Sequence, residues 1–107
     1  MTGAKRVKFI RRTLGLKQKD FAMQISVSTS YLASVETEVR NLNDRTIRLI
    51  SDAFNVNGHW IKTGDGEMFN DGVDASVAKI TGLFKSLSSQ FQESAIEQLR
   101  ALVELER

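Results

Sequence analysis

Apolar side chains recur at intervals of three and four residues through almost the whole chain, and no segment shows the strict alternation of a half-buried strand. Val7, Ile10 and Leu14, for example, mark a first helix across roughly 4–14, which Gly15 ends. Because this spacing places each apolar set on one face of a helix, the pattern predicts an all-α fold.

Four more short helices are predicted before residue 64, each with an apolar face and polar ends. Their apolar positions are Phe21, Ala22 and Ile25; Leu32 and Val35; Ile47, Ile50, Ala53 and Phe54; and Trp60 and Ile61. Residues that commonly cap or end helices stand at their boundaries: Ser28, Asn43 or Asp44, Asn55, Asn57 and Gly64. The first part of the chain is therefore predicted to be a five-helix domain.

The composition changes at residues 63–72, which contain three glycines and no helical period. We place the domain boundary here, with a first domain over 1–70 and a linker and C-terminal helical segment over 71–107. Two amphipathic helices, an αα-hairpin, are predicted in that segment. Their apolar stripes comprise Val77, Ile80, Phe84 and Leu87, then Phe91, Ala95, Leu99, Leu102 and Val103.

A hairpin of two such helices cannot bury both stripes by itself. The stripes are expected to pack on the first domain or on a second copy of the chain, and we favour a homodimer. Packing within the chain alone remains the alternative. The residues expected at the dimer interface are Phe84, Leu87, Phe91, Leu99, Leu102 and Val103.

Several classes of function are disfavoured by what the 107 residues contain. The chain contains no cysteine. Its single histidine, His59, has no catalytic partners in view. The acidic loop ending near Asp71 and Asp74 lacks the residue spacing of a calcium-binding loop. We therefore expect no enzyme, no cofactor and no metal. With no apolar run of about 18 residues and no signal-like N-terminus, we expect a cytoplasmic protein without a membrane partner.

Positive charge is concentrated in the first half of the chain. Residues 1–48 contain ten Lys or Arg against four acids, whereas the whole chain has a net charge of only +2. A basic half beside a nearly neutral remainder suggests a polyanionic partner, although a solvated basic surface is equally compatible with charge alone.

The second and third helices are joined by a three-residue turn, and their sequence is more specific than their geometry. Residues 15–22, GLKQKDFA, and 27–36, VSTSYLASVE, resemble the helix-turn-helix of phage repressors and Cro-type regulators. The resemblance continues through RNLNDRTI at 40–47 and WIKTGDGEMF at 60–69. It covers roughly residues 4–70 and is greatest to the short repressors of phages and mobile elements of Gram-positive bacteria.

This resemblance implies roles for individual residues. Arg11 and Glu36 would form a structural ion pair, and Thr29, Ser30 and Ser34 would approach base edges in the major groove, with a methyl contact from Ala33. The residues expected to contact phosphates are Gln18, Lys17, Tyr31, Arg40, Asn41 and Arg45. None of the base-facing side chains offers the bidentate contact of arginine to guanine, so discrimination at each base should be modest.

The chain departs from the family pattern at three places. Ser26 replaces the glycine usual in the turn, Lys17 replaces a capping serine or threonine, and Thr37-Glu38-Val39 replaces a typical Asn-Gly-Lys. The last change introduces an acid into a loop that faces phosphate, and it leaves the conformation and affinity of that loop open.

Together these features predict a sequence-specific transcriptional regulator, a repressor that binds a palindromic double-stranded DNA operator as a dimer. Its release from DNA would require an antirepressor or competing operators. Two alternatives stay open: an antitoxin-like DNA-binding protein whose C-terminal helices bind a toxin, and a protein-interaction module that has lost DNA binding.

Overall fold

The computed structural model describes residues 1–70, 72 and 74–107, so Asp71 of the acidic loop lies outside the described residues. Regular secondary structure in the described residues is entirely helical, which confirms the predicted all-α class. The helices are α1 (Gly3–Thr13), α2 (Gln18–Gln24), α3 (Thr29–Glu36), α4 (Asp44–Phe54), α5 (Gly58–Thr63), α6 (Ala75–Lys85) and α7 (Ser89–Glu106).

The first five helices pack around one apolar core. Its largest fully buried side chains come from α1 to α5 and their connections: Phe21, Ile10, Leu14, Ile25, Leu32, Ile50, Ile61, Val7, Val35 and Val56. The rings of Phe21 and Phe54 stack with their centroids 4.9 Å apart, which joins α2 to the end of α4. Trp60 is only partly buried and lies at the edge of this core.

The helix ends follow the capping chemistry expected from the sequence. The Ser28 hydroxyl accepts a hydrogen bond from the Tyr31 amide, and the Asn43 side chain accepts one from the Thr46 amide. Asn55 ends α4 in the left-handed conformation, with φ of 55°. The Ser28 and Asn43 caps each satisfy an amide that the helix itself leaves without a partner.

The glycine-rich segment after α5 returns to the domain. An isolated antiparallel bridge pairs Val56 with Phe69, and the Asn57 amide donates to the Met68 carbonyl at 2.8 Å. Met68 and Phe69 also pack against the core. The bridge holds residues up to 69 on the first domain, within the bounds of 1–70 placed from the sequence.

Helix α6 lies on the first domain through small residues. Ala78 is 4% exposed and belongs to the same core, and Gly82 packs over Leu14 and Leu16. The Gln24 amide donates to the Gly82 carbonyl at 3.0 Å, which ties α6 to the end of α2. The larger apolar residues Val77 and Ile80 of the sequence stripe stay exposed, so the stripe does not make this contact.

Helix α7 has no buried residue along its 18 positions. It follows α6 after a short turn, and the Gln92 side chain of α7 donates across that turn to the Phe84 carbonyl of α6. At a rise of about 1.5 Å per residue, such a helix is about 27 Å long. Its apolar stripe therefore faces solvent in the single chain.

Candidate nucleic-acid interface

Helix α3 presents one polar side to solvent. Leu32 and Val35 are 1% and 0% exposed and hold the helix against the core. On the other side, Thr29 and Ser30 are exposed, while Ala33 and Ser34 are half-buried. Of the four residues expected to face bases, the two in the first turn of α3 therefore project furthest from the domain.

The serine hydroxyls on this side make local hydrogen bonds. The Ser34 hydroxyl donates to the Ser30 carbonyl at 2.9 Å, and the hydroxyls of Ser28 and Ser30 lie 3.3 Å apart. A hydroxyl that donates to its own helix still offers lone pairs as acceptors. The surface can thus accept hydrogen bonds from base amino groups, and it carries no formal charge.

A buried ion pair fixes α3 from behind. Arg11 donates two hydrogen bonds to the Glu36 carboxylate, from Nε at 2.7 Å and from Nη2 at 2.9 Å, with side-chain exposures of 12% and 2%. The remaining Arg11 nitrogen donates to the Leu16 carbonyl at 3.0 Å. This geometry joins α1, the segment just before α2 and the end of α3, and the pair is the one that the family resemblance implied for the two charged residues.

Gln18 adds a third donor to the same carboxylate. Its amide nitrogen lies 3.2 Å from Glu36 Oε1. The side chain therefore connects the first turn of α2 to the last turn of α3, while it remains only half-buried. Lys17 precedes α2 at the N-cap position, makes no side-chain capping bond and is exposed.

The loop after α3 brings together two of the residues predicted to contact phosphates. The Arg40 guanidinium carbon lies 5.6 Å from the centroid of the Tyr31 ring. The Tyr31 hydroxyl lies 2.9 Å from the hydroxyl of Thr46 on α4, a residue only 3% exposed. Sequence reasoning missed Thr46, since nothing in the apolar spacing of α4 distinguishes it from other polar positions.

Asn41, in the loop before α4, and Arg45, in the first turn of α4, are both exposed. Arg45 also lines a cleft of about 350 Å³ together with Ser28, Tyr31 and Thr46. The structure thus places Tyr31, Arg40, Asn41 and Arg45 in one region between α3 and α4, whereas Lys17 and Gln18 lie at the start of α2.

The two unusual non-glycine residues keep the backbone conformation that glycine would favour. Ser26 has φ of 63° in the turn between α2 and α3, and Glu38 has φ of 64° in the loop after α3. The Glu38 amide donates to the Val35 carbonyl at 3.1 Å, which closes the end of α3. The loop therefore takes a left-handed turn despite the substitution, and the Glu38 side chain points into solvent.

Not all the basic residues counted in the first half face solvent. Arg6 is 8% exposed and donates to the carbonyls of Ile61 at 2.7 Å, Lys62 at 3.2 Å and Met1. It thus caps the C-terminal end of α5, where a cation is favourable to the helix dipole. The count of ten basic residues in the first half therefore overstates the positive charge at the surface, because Arg6 and Arg11 both make structural contacts.

The residues expected at a dimer interface form an exposed apolar surface on α6 and α7. Leu87, Phe91, Leu99, Leu102 and Val103 are between 39% and 61% exposed, and Phe84 is half-buried. Large contiguous apolar patches are unusual on a soluble monomer and commonly mark interaction surfaces. Among the described residues, no helix is long and apolar enough to cross a membrane.

Comparison with known proteins agrees with a helix-turn-helix in the first domain. A family model described as helix-turn-helix matches residues 7–61, which is just over half of the chain and spans α1 to α5. No curated protein and no solved structure matches the chain. The matched segment contains the α2–turn–α3 unit, its ion pair and the candidate DNA-facing side of α3. The chain therefore belongs to the helix-turn-helix family of Cro- and repressor-type DNA-binding regulators.

Proposed function

We propose that this regulator is a transcriptional repressor that binds a palindromic operator as a homodimer. The observation that supports it most is the exposed side of α3, where Thr29 and Ser30 project from a helix held rigidly by Glu36. A recognition helix that enters the major groove needs its first-turn residues free and its orientation fixed.

The chemistry of this surface suggests how sequence is recognised. Hydroxyls and methyls can contact several bases but distinguish them weakly, in contrast to a bidentate arginine, worth about 1–3 kcal/mol. Affinity would then come largely from phosphate contacts by Arg40, Arg45, Lys17 and their neighbours. Part of the specificity would come from the shape and deformability of the DNA.

A dimer is supported by the apolar surface of α6 and α7. One helix-turn-helix makes few base contacts, and two copies read half-sites about one helical turn apart. A two-fold interface uses the same patch on both copies. The exposed side chains of Leu87, Phe91, Leu99, Leu102 and Val103, together with half-buried Phe84, provide apolar surface that such an interface would bury.

Selection of bound sequences from a random double-stranded DNA pool tests this function. We expect enrichment of an inverted repeat, followed by a salt-sensitive and competitor-resistant gel shift with the selected site. A selected site without two-fold symmetry would contradict DNA binding by a symmetric dimer. Failure to enrich any sequence would contradict sequence-specific binding.

The antitoxin-like alternative is supported by one observation, that α7 buries none of its residues within the chain. A second, co-encoded protein could cover the same stripe. Tagged full-length protein, expressed with its genomic neighbours, should purify as a dimer of one chain if the repressor proposal is correct. Stoichiometric recovery of a second chain would favour the alternative.

A further inference from the structure

Tyr31 belongs to α3, the proposed recognition helix. Its side chain contacts Thr46 of α4 and lies beside the Arg40 guanidinium. We propose that Tyr31 is a positioning residue, which holds the Arg40 guanidinium above its ring so that Arg40 can meet one phosphate of the DNA backbone. This inference rests on the proposed function, because it concerns how the same surface binds DNA. It assigns to the Tyr31 ring a role that differs from a direct phosphate contact by its hydroxyl.

Tyr31 is held both at its backbone and at its side-chain hydroxyl. Its backbone amide donates to the Ser28 hydroxyl at 3.0 Å, within the cap of α3. Its hydroxyl lies 2.9 Å from the buried Thr46 hydroxyl, and the Thr46 amide donates to Asn43 at 2.8 Å. The ring is therefore attached to the first turns of both α3 and α4.

The backbone of Arg40 is fixed to the same helix. Its amide donates to the Ser34 carbonyl at 3.1 Å, after the left-handed turn at Glu38. The side chain is exposed, and the guanidinium carbon lies 5.6 Å from the ring centroid. This distance is within the range of about 6 Å for attraction between a cation and an aromatic ring.

An arginine that rests on an aromatic ring loses less side-chain freedom when it binds a phosphate than one that rotates freely. The flat guanidinium carries its N–H groups at its edge, where they can donate to phosphate oxygens while the cation stays close to the ring. Tyr31 would thus raise DNA affinity through Arg40, without a contact of its own.

A double-mutant cycle on DNA affinity tests this coupling. Arg40→Ala should weaken binding to all sequences and reduce the salt slope by up to about one unit. Tyr31→Leu should weaken binding by about threefold in the wild-type background, and by clearly less in the Arg40→Ala background. Equal losses in both backgrounds would overturn the proposal.

Two conservative variants separate the ring from the hydroxyl. Tyr31→Phe keeps the ring and should keep the coupling to Arg40, whereas Thr46→Val removes the same interhelical hydrogen bond from the other side. If Tyr31→Phe lost as much affinity as Tyr31→Leu while Thr46→Val lost none, the hydroxyl would contact DNA directly. That result would refute the positioning role.

NMR spectra of the wild-type protein without DNA test the same contact and do not depend on whether a variant folds. The Cδ protons of Arg40 should show an upfield ring-current shift in NMR spectra relative to those of Arg100, an exposed arginine on α7. Unshifted Arg40 protons would overturn the proposal. Absence of any DNA binding by the wild type would instead refute the proposed function, so the two failures are distinguishable.

Discussion

Two single residues, Ser26 and Glu38, hold left-handed backbone conformations at the two ends of the recognition helix. A side chain with a Cβ atom is strained there by about 1–2 kcal/mol. Glycine removes that strain but increases the freedom of the unfolded chain. Ser26→Gly and Glu38→Gly should each therefore raise the free energy of unfolding by about 1 kcal/mol, as measured by urea denaturation.

The same pair of variants separates stability from DNA affinity. Glu38→Gly also removes a negative charge beside Arg40, so it should strengthen DNA binding, whereas Ser26→Gly should not. Glu38→Gln is the matched control, because it removes the charge and keeps the strained conformation. Equal affinity of wild type and Glu38→Gln would show that Glu38 lies too far from the phosphates to repel them.

At the scale of helices, the Glu36 carboxylate joins α1, α2 and α3 through three hydrogen bonds. Removing one partner of a buried pair leaves the other charge without compensation. Glu36→Ala should therefore reduce the free energy of unfolding by about 3–5 kcal/mol. Arg100→Ala is the control, since its pair with Glu97 is 3.5 Å long and 73% exposed on both sides, and should change stability by less than about 1 kcal/mol. Similar losses in both variants would contradict a structural role of the buried pair.

The contact of α6 with the domain depends on a small residue. A Cβ atom on Gly82 would lie 3.4 Å from the nearest Leu16 methyl and 3.7 Å from Leu14 Cβ, which is ordinary contact. Gly82→Ala should therefore fit, and should stabilise the helix by about 0.5–1 kcal/mol. Gly82→Leu should separate α6 from the domain and speed amide exchange along α6. Unchanged exchange in Gly82→Leu would show that the contact tolerates a large side chain.

The first five helices were predictable from sequence because their signals are local: apolar spacing and caps such as Ser28 and Asn57 act within a few residues. The packing face of α6 could not be predicted in this way. The larger residues Val77 and Ile80 dominate its apolar pattern, whereas Ala78 makes the contact. In the candidate site, the family pattern suggested the Arg11–Glu36 pair. The position of Thr46 beneath Tyr31 depends on how two helices approach each other, which no spacing within one helix reveals.

For the molecule as a whole, the packing of α6 on the first domain determines where the chain should be truncated to separate folding from association. The C-terminal segment contains one helix that covers the core and one helix, α7, that buries nothing by itself. Stability of the first domain and association between copies are therefore expected to depend on different helices. Two truncations, one after residue 72 and one after residue 87, separate the two properties.

Chain 1–87 should unfold at nearly the same temperature as the full-length domain, because α6 still covers Leu14 and Leu16. It should sediment as a monomer and bind a palindromic operator much more weakly, because α7 carries most of the apolar surface proposed for the dimer. Chain 1–72 should lose stability as well, since Ala78 and the Gln24 hydrogen bond are removed. Sedimentation velocity and thermal denaturation measure the two effects separately. A chain 1–87 that remains dimeric would assign the interface to α6 or to the first domain, and equal stability of both truncations would remove α6 from the folded core.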